Sequence, residues 1–365
     1  GFKWDVGVHY IGGMGENDGL KKIFDYLAND KLNWDYIGET YDVANISGDI
    51  YEFKAGEENF IKKMTSYFPQ EKKAIDKYLK IIKKSNKRTN LFFIQKLFKP
   101  LLSNTIGWVI RKRFKKFSNK TTYEVLNTIT NNKKLIGVLC SQCGDYGLTP
   151  KHSSFTMHAL VVAHYMNGGY YPSRGPDYIV KKIIDNINLN NGRVYVNAKV
   201  KKIIVQNNIV KGIMIGEKII KTKSVFSNIG VMNTFNSLLS EKERKICGFK
   251  LDKVKPSAGH FCLYVGLDNS DMKLKLPKHN IWWHKSYDLD KNFENSTPNN
   301  SSDQFAYISF PSSKDSYWTR KNPDKVTIQM ISYGKYEWVK KYENQPWMKR
   351  SEEYKKMKVD FKNKM

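Results

Sequence analysis

The sequence predicts a mixed α/β chain, with α+β character, organised as two interleaved domains. Three observations predict it. At 365 residues the chain is long enough for a large core and longer than one domain usually runs. The stretch "EENFIKKMTSYFPQEKKAIDKYLKIIKKSNK", Glu57 to Lys87, repeats its apolar residues at helical spacing. The stretch "RVYVNAKVKKIIVQNNIVKGIMIGEKIIKTKSVFSN", residues 193–228, consists of short β-branched runs punctuated by turn residues. A content of 40% hydrophobic and 13% aromatic residues excludes a disordered chain.

Taken in order, "GFKWDVGVHYIGGMG" at 1–15 reads as a strand entering a glycine-rich loop where backbone approaches something closely. Asn17 to Ala28 is a short helix, and Lys31 to Glu52 strands and turns. Pro69 divides the helical stretch that begins at Glu57. Thr121 to Leu139 is a helix pair. Ser153 or Ser154 caps a helix from Phe155 to Asn167, which Gly168 and Gly169 end. Asp177 to Asn188 is a second helix. Asn207–Asn208 and Gly216–Glu217 then break a meander of hairpins that returns in a last strand at Ser224 to Asn228. The final third alternates strands ("GHFCLYVGL", "QFAYISFPSS", "KVTIQMISY") with polar loops, and the Asn/Ser-rich stretch Asp288 to Asp303 is expected to be mobile. There are no internal repeats.

The net charge is +27, unevenly spread: residues 77–123 hold 14 Lys and Arg and neither Asp nor Glu. Within that run, "LFFIQKLFKPLLSNTIGWVIRKRFKKF" mixes apolar and basic residues. A nucleic-acid patch would need basic residues with stacking aromatics. The Leu, Ile, Phe and Trp content fits an amphipathic element on an anionic membrane surface better. The bland reading is a solvated face in a chain rich in Lys and Asn throughout. Residues 91–110 have the length of a span, but Gln95, Lys96, Lys99, Pro100 and Asn104 interrupt it. The expectation is a protein lying on the membrane, with no nucleic-acid partner and no fixed compartment.

The stretch "CSQCGDYGLTPKHSSFTMHALVVAHYMNGGYYPSRG" at 140–175 poses the chemical question. Cys140 and Cys143 lack the second close pair that a zinc site needs, since Cys247 and Cys262 stand far apart. His152, His158 and His164 are six apart, and six residues turn a helix by about 240°, so they cannot share a metal. No metal site is expected, and the two cysteines read as small buried side chains in a reducing compartment. No G-x-G-x-x-G, Walker loop or Ser-His-Asp order is present.

Six blocks carry a resemblance: "GFKWDVGVHYIG" at 1–12, "YFPQEKKAIDKYLKIIK" at 67–83, "YGLTPKHSSFTMHALVVAHYMNGGYYPSRG" at 146–175, "SVFSNIGVMNTF" at 224–235, "FPSSKDSYW" at 310–318 and "YEWVKKY" at 336–342. In these the chain resembles the FAD-dependent retinol saturases, a branch of the phytoene desaturase and carotenoid isomerase flavoproteins. The resemblance implies a two-domain FAD/NAD(P)-binding fold of the amine-oxidase and phytoene-desaturase type. It implies a fragment, lacking the N-terminal Rossmann unit and a C-terminal flavin-contacting segment. Residues 1–45 and 151–240 would be parts of the FAD-binding domain, 46–150 a helical substrate- and membrane-associated region, and 241–365 the sheet and helices of the substrate domain.

Roles follow from the resemblance by matching position. The D-x-G-x-H loop beside the isoalloxazine is Asp5, Gly7 and His9. Val200 presents backbone to the adenine, and Ser227 and Asn228 return to the cofactor. Tyr170, Tyr171, Pro172, Arg174 and Gly175 lie near the flavin end of a substrate tunnel. The reaction implied is saturation of a C=C bond in a retinoid or carotenoid-like polyene, with FAD as cofactor and NAD(P)H as electron donor. Isomerisation or desaturation by the same fold is the alternative, and a non-catalytic basic membrane- or nucleic-acid-binding protein the rival. Candidates for the proton donor are His9, Tyr146, His158 and Tyr171.

Overall fold

The computed structural model describes residues 1–7, 9–248, 251–254, 257–271, 273–346 and 348–365. It divides the chain into two compact units, residues 1–186 with 257–365, and residues 187–256. Strands and helices of both kinds occur in the larger unit, as the mixed α/β expectation requires.

Strands of the larger unit are β1 (Trp34–Tyr36), β2 (Thr40–Ile46), β3 (Asp49–Lys54) and β4 (Tyr170–Pro172), and, after the smaller unit, β8 (Gly259–Asp268), β9 (Asn280–His284), β10 (Phe305–Ser309) and β11 (Lys325–Gly334). A six-stranded sheet runs in the order β3-β2-β9-β10-β11-β8. Its β2–β3 hairpin turns on Ser47 and Gly48, with φ of 55° and 92°, the primed turn that matches strand twist. Asp42 to Ile46 pairs in parallel with Asn280 to His284. The other neighbours are antiparallel, the longest ladder joining Lys325–Gly334 to Asp268–Gly259. The short pair β1–β4 lies apart from this sheet.

The α-helices that begin before the smaller unit are α1 (Gly19–Ala28), α2 (Glu57–Tyr67), α3 (Lys72–Ile94), α4 (Pro100–Asn104), α5 (Ile106–Ser118), α6 (Thr122–Asn127), α7 (Lys133–Leu139), α8 (Phe155–Tyr165) and α9 (Pro176–Leu189). Pro69 opens a 3-10 turn between α2 and α3, the boundary its missing N–H demands. The expected helix pair at 121–139 is α6, held by a Thr121–Glu124 capping box, and α7, capped by Asn132. Ser154 occupies the N-cap of α8, but its hydroxyl donates to the Ser118 carbonyl rather than capping. Gly168 follows that helix at φ 95°. The core packs α8 (Phe155, Ala159, Val162) and α3 (Ile75, Tyr78, Leu79, Ile82) with β2, α7 and the sheet residues Trp282 and Phe305. Cys140 and Cys143 are buried in that core, which pushes both thiols upward.

Three local expectations are corrected. Among the described residues of 1–15 there is no strand, and their one ladder contact is the bridge between Ile11 and Tyr170. Side chains satisfy the backbone instead, with Gln329 donating to the Asp5 carbonyl and Lys314 to that of His9. Ser224 to Asn228 enters no ladder either. The Thr222 hydroxyl donates to the Ser224 carbonyl at 3.0 Å, and Ser227 meets Thr234 at 2.7 Å. The polar stretch 288–303 is built, not loose. Asp288 caps the helix Leu289–Glu294, Asp290 accepts from the Lys151 N–H, and Asn292, Ser296 and Ser301 are buried.

The smaller unit is a three-stranded antiparallel meander, β5 (Val200–Gln206), β6 (Ile209–Ile215) and β7 (Lys218–Lys221). Asn207 and Asn208 turn the first hairpin at φ 50° and 61°, and Gly216 the second at 60°.

Candidate functional site

Asp5 to Tyr10 is an irregular segment fixed from beneath by a connected set of polar side chains. Gln329, central on β11, reaches up with both ends of its amide: Nε2 donates to the Asp5 carbonyl, and Oε1 meets His9 Nδ1 at 3.0 Å. That assignment puts the His9 proton on Nδ1 and leaves Nε2 bare. Lys314 is fully buried. Its ammonium donates to the His9 carbonyl at 3.1 Å, to Ser309 Oγ at 2.6 Å and to Asn280 Oδ1. Asn280 passes the chain on, donating to Asp42 at 2.9 Å. Asp42, also fully buried, accepts further bonds from Gln142 at 2.5 Å and from the Tyr10 hydroxyl at 2.7 Å. The segment is therefore tied to β11 at Asp5 and His9 and to β2 at Tyr10, and through Lys314 to β9 and β10.

Burial dominates the electrostatics. It raises Asp42 to about 6, against the three hydrogen bonds that favour its charge. It lowers Lys314 to about 7, with Asp42 and Asp5 pulling the other way. His9 is lowered to about 4 by burial and by the Lys314 cation. Asp5 is raised to about 6, burial outweighing the hydrogen bond from Tyr171.

Two hollows flank the segment, and Val6, 93% exposed, borders both. A cleft of about 420 Å³ is lined by Asp5, Gly7, Tyr171, Arg174 and Gly175 together with Trp4, Pro311 and Trp318. A cavity of about 280 Å³ is lined by His9 and Asp145 with Trp282, Phe305, Tyr307 and Ile331. The cleft lies at the lower end of small-molecule sites and the cavity just below it, and in both aromatic side chains stand beside charged and polar ones, Lys3, Arg174, Asp177 and Asp315 in the cleft and His260 in the cavity.

Of the residues expected at the site, Asp5, Gly7, Tyr171, Arg174 and Gly175 thus meet at one cleft, and His9 opens on the neighbouring cavity. Arg174 sits at φ 78°, its N–H on the Asp315 carboxylate and its guanidinium stacked between Tyr178 and Tyr317. Tyr170 and Pro172 belong to β4, paired with Tyr36 and Trp34, and border neither hollow. Tyr146 and His158 pair in the core. Tyr146 meets His158 Nδ1 at 3.2 Å and Tyr78 meets Nε2 at 2.9 Å, and burial lowers the imidazole to about 3. Val200 opens β5 in the smaller unit, and Ser227 and Asn228 follow β7 as exposed residues.

Sequence reasoning passed over Lys314, Asn280, Asp42, Gln329 and Asp145. Lys314 stands inside the quoted block "FPSSKDSYW", yet one lysine among 62 basic residues carries no sign of burial. Period-2 alternation on β11 could have placed Gln329 on the buried face beside Thr327 and Ile331.

No family model matches the chain. All-trans-retinol 13,14-reductase of Danio rerio is 29% identical over 383 residues, covering 100% of this chain and 63% of that protein. The Homo sapiens protein of the same name is 30% identical over 381 residues, 99% of this chain and 62% of its own. The chain therefore spans somewhat less than two thirds of the relatives it matches. An oxidoreductase from Methanosarcina mazei superposes with a TM-score of 0.56 at 15% identity, covering 93% of this chain and 69% of that one. The chain has the mixed α/β fold of that oxidoreductase and is similar, over its whole length, to the all-trans-retinol 13,14-reductases.

Proposed function

We propose that this protein is an FAD-dependent oxidoreductase that saturates a C=C bond of a retinoid or carotenoid-like polyene. The observation that carries the reading is the Asp5–Tyr10 segment, fixed by buried hydrogen bonds between two aromatic-walled hollows. The residues present suit a flavin. A Cβ added at Gly7 would meet no atom within 4 Å, so backbone there is open to a flat ring. The Tyr307 hydroxyl in the cavity wall is buried without a hydrogen-bond partner, Ser309 lying near it but outside bonding geometry. Asp5, Gly7 and His9 would hold the ring edge. Bound there, the flavin supplies a hydride equivalent to one alkene carbon, with NAD(P)H as the source of electrons. The chain's own part is to fix the loop, to exclude water with Trp282, Phe305 and Tyr307, and to place a proton.

The proposed partner surface is an anionic membrane. From α3 to α5, Phe93, Ile94, Leu97, Leu101, Ile106 and Trp108 are all more than half exposed, among Lys96, Lys99, Lys112 and their basic neighbours. Among the described residues no helix is long and apolar enough to cross a bilayer. An exposed apolar strip within a basic run fits a protein seated on the headgroup layer.

The reading is tested by expressing the full reading frame, loading FAD, reducing it and adding all-trans-retinol. Saturation shortens the conjugated system and moves its absorption to shorter wavelength. A longer-wavelength product would identify desaturation, and a cis-type spectrum isomerisation. No change with any polyene would favour the non-catalytic rival.

A further inference from the structure

Adding two hydrogens across a double bond needs a proton as well as a hydride equivalent. The sequence candidates do not offer one to the cavity. Tyr146 and His158 are bonded to each other in the core, Tyr171 gives its hydroxyl proton to Asp5, and His9 turns its proton toward Gln329. Asp145 is placed differently. It stands on the 3-10 turn Ser141–Tyr146 as an exposed residue that lines the 280 Å³ cavity.

The Tyr10 hydroxyl lies 2.7 Å from Asp42 Oδ2 and 3.3 Å from Asp145 Oδ2. One phenolic proton can serve only one of the two carboxylates at a time, and an additional proton on the pair relieves their mutual repulsion. Asp42 accepts from Tyr10, Gln142 and Asn280, which favours its charged form. Asp145 has one long contact, so the additional proton belongs to it. Desolvation by the surrounding protein and the Asp42 charge both push the Asp145 carboxyl above the usual carboxylate range, although the residue keeps an exposed surface. The other titratable groups around the cavity do not compete. His9 and His260 are kept neutral by burial, Cys262 is pushed up, and Lys314 reaches Asp42 only through Asn280.

We propose that Asp145 is the proton donor of the saturation, with Tyr10 and Asp42 as its positioning residues; this rests on the function proposed above. The O–H bond of Asp145 breaks as a C–H bond forms at one alkene carbon. The other carbon receives the hydride equivalent from the two-electron-reduced flavin, and the π pair of the double bond is consumed. Asp145 is left as a carboxylate that accepts the Tyr10 hydroxyl.

Two measurements on one set of variants test this. Without cofactor, the infrared carbonyl-stretch band of protonated carboxyl groups is recorded at about pH 8, where Asp5 and Asp42, raised to about 6, are ionised. The band is expected in the wild type and in Asp5→Asn, and absent in Asp145→Asn. Its survival in Asp145→Asn overturns the assignment. In the reduced, FAD-loaded protein, Asp145→Asn should lower polyene saturation about 100-fold or more, the scale of lost general-acid catalysis, with FAD content and polyene affinity unchanged. Tyr10→Phe should lower it less and should shift the infrared titration. Wild-type rates in Asp145→Asn overturn the catalytic role. A wild type that saturates no polyene removes that role along with the proposed function, while the infrared band still decides where the proton sits.

Discussion

The glycines of the first segment separate two kinds of requirement. At Gly12 a Cβ would stand 1.8 Å from the His164 carbonyl oxygen, and the Gly12 N–H already donates to His164 Nε2 at 2.8 Å. Gly12→Ala should therefore cost at least about 1–3 kcal/mol in denaturant unfolding, as overpacking does. Gly7→Ala meets nothing and should stay within about 0.5 kcal/mol of wild type. It should nevertheless weaken FAD binding at least tenfold by flavin fluorescence, because the added methyl occupies the open approach; unchanged FAD affinity would detach the loop from the cofactor. Lys314→Met leaves Asn280, Ser309 and the His9 carbonyl without their donor and Asp42 without a nearby cation, for a loss of about 3–5 kcal/mol. His158 gives the pH test. Its folded-state value of about 3 lies below the ordinary 6.5, so its contribution is full above 6.5 and is lost as pH falls through 3. His158→Gln should move the acid-unfolding midpoint to lower pH. The carboxylates raised to about 6 act in the opposite sense but are common to both proteins. Gly7 and His9 were legible because they sit in a motif. Lys314 and Asp42 were not, because only the fold removes them from water.

Elements were legible where a periodic pattern decided them. The helices α2, α3 and α8 and the strands β8, β10 and β11 follow from apolar spacing and bounding turn residues, and the meander from its asparagine and glycine turns. The failures share a cause. Residues 1–15 and 224–228 have strand-like composition, but a strand exists only beside a partner, and neither segment is given one. Residues 288–303 look like solvent-exposed chain, yet their Asp, Asn and Ser side chains are spent as caps and buried donors. The α3–α5 region carries its own prediction. The protein should sediment with anionic vesicles and be released as salt rises, since each basic residue near the surface contributes about 1 kcal/mol that screening removes. Leu97→Asp with Leu101→Asp, at positions 86% and 82% exposed, should weaken vesicle binding with little change in stability. Equal binding to neutral and anionic vesicles at every salt concentration would contradict the electrostatic part.

At the scale of the whole molecule, the aromatic core and six-stranded sheet explain how buried polar side chains come to hold the first segment in an apolar setting. The sheet supplies Asp42, Asn280 and Gln329 from three strands, and the Pro311–Lys314 turn adds the buried cation. None of these residues neighbours another in sequence, so the network was invisible before folding, whereas the family blocks that surround it were not. The central claim is that this scaffold adds two hydrogens across a polyene double bond. The most direct measurement is the mass of the product formed from all-trans-retinol by the reduced, FAD-loaded protein in deuterated water. The account predicts a dihydro product carrying up to two solvent deuterons on carbon, because the N–H of a reduced flavin exchanges with water as the acid proton does, and a product of unchanged mass, or one lighter by two hydrogens, would contradict it.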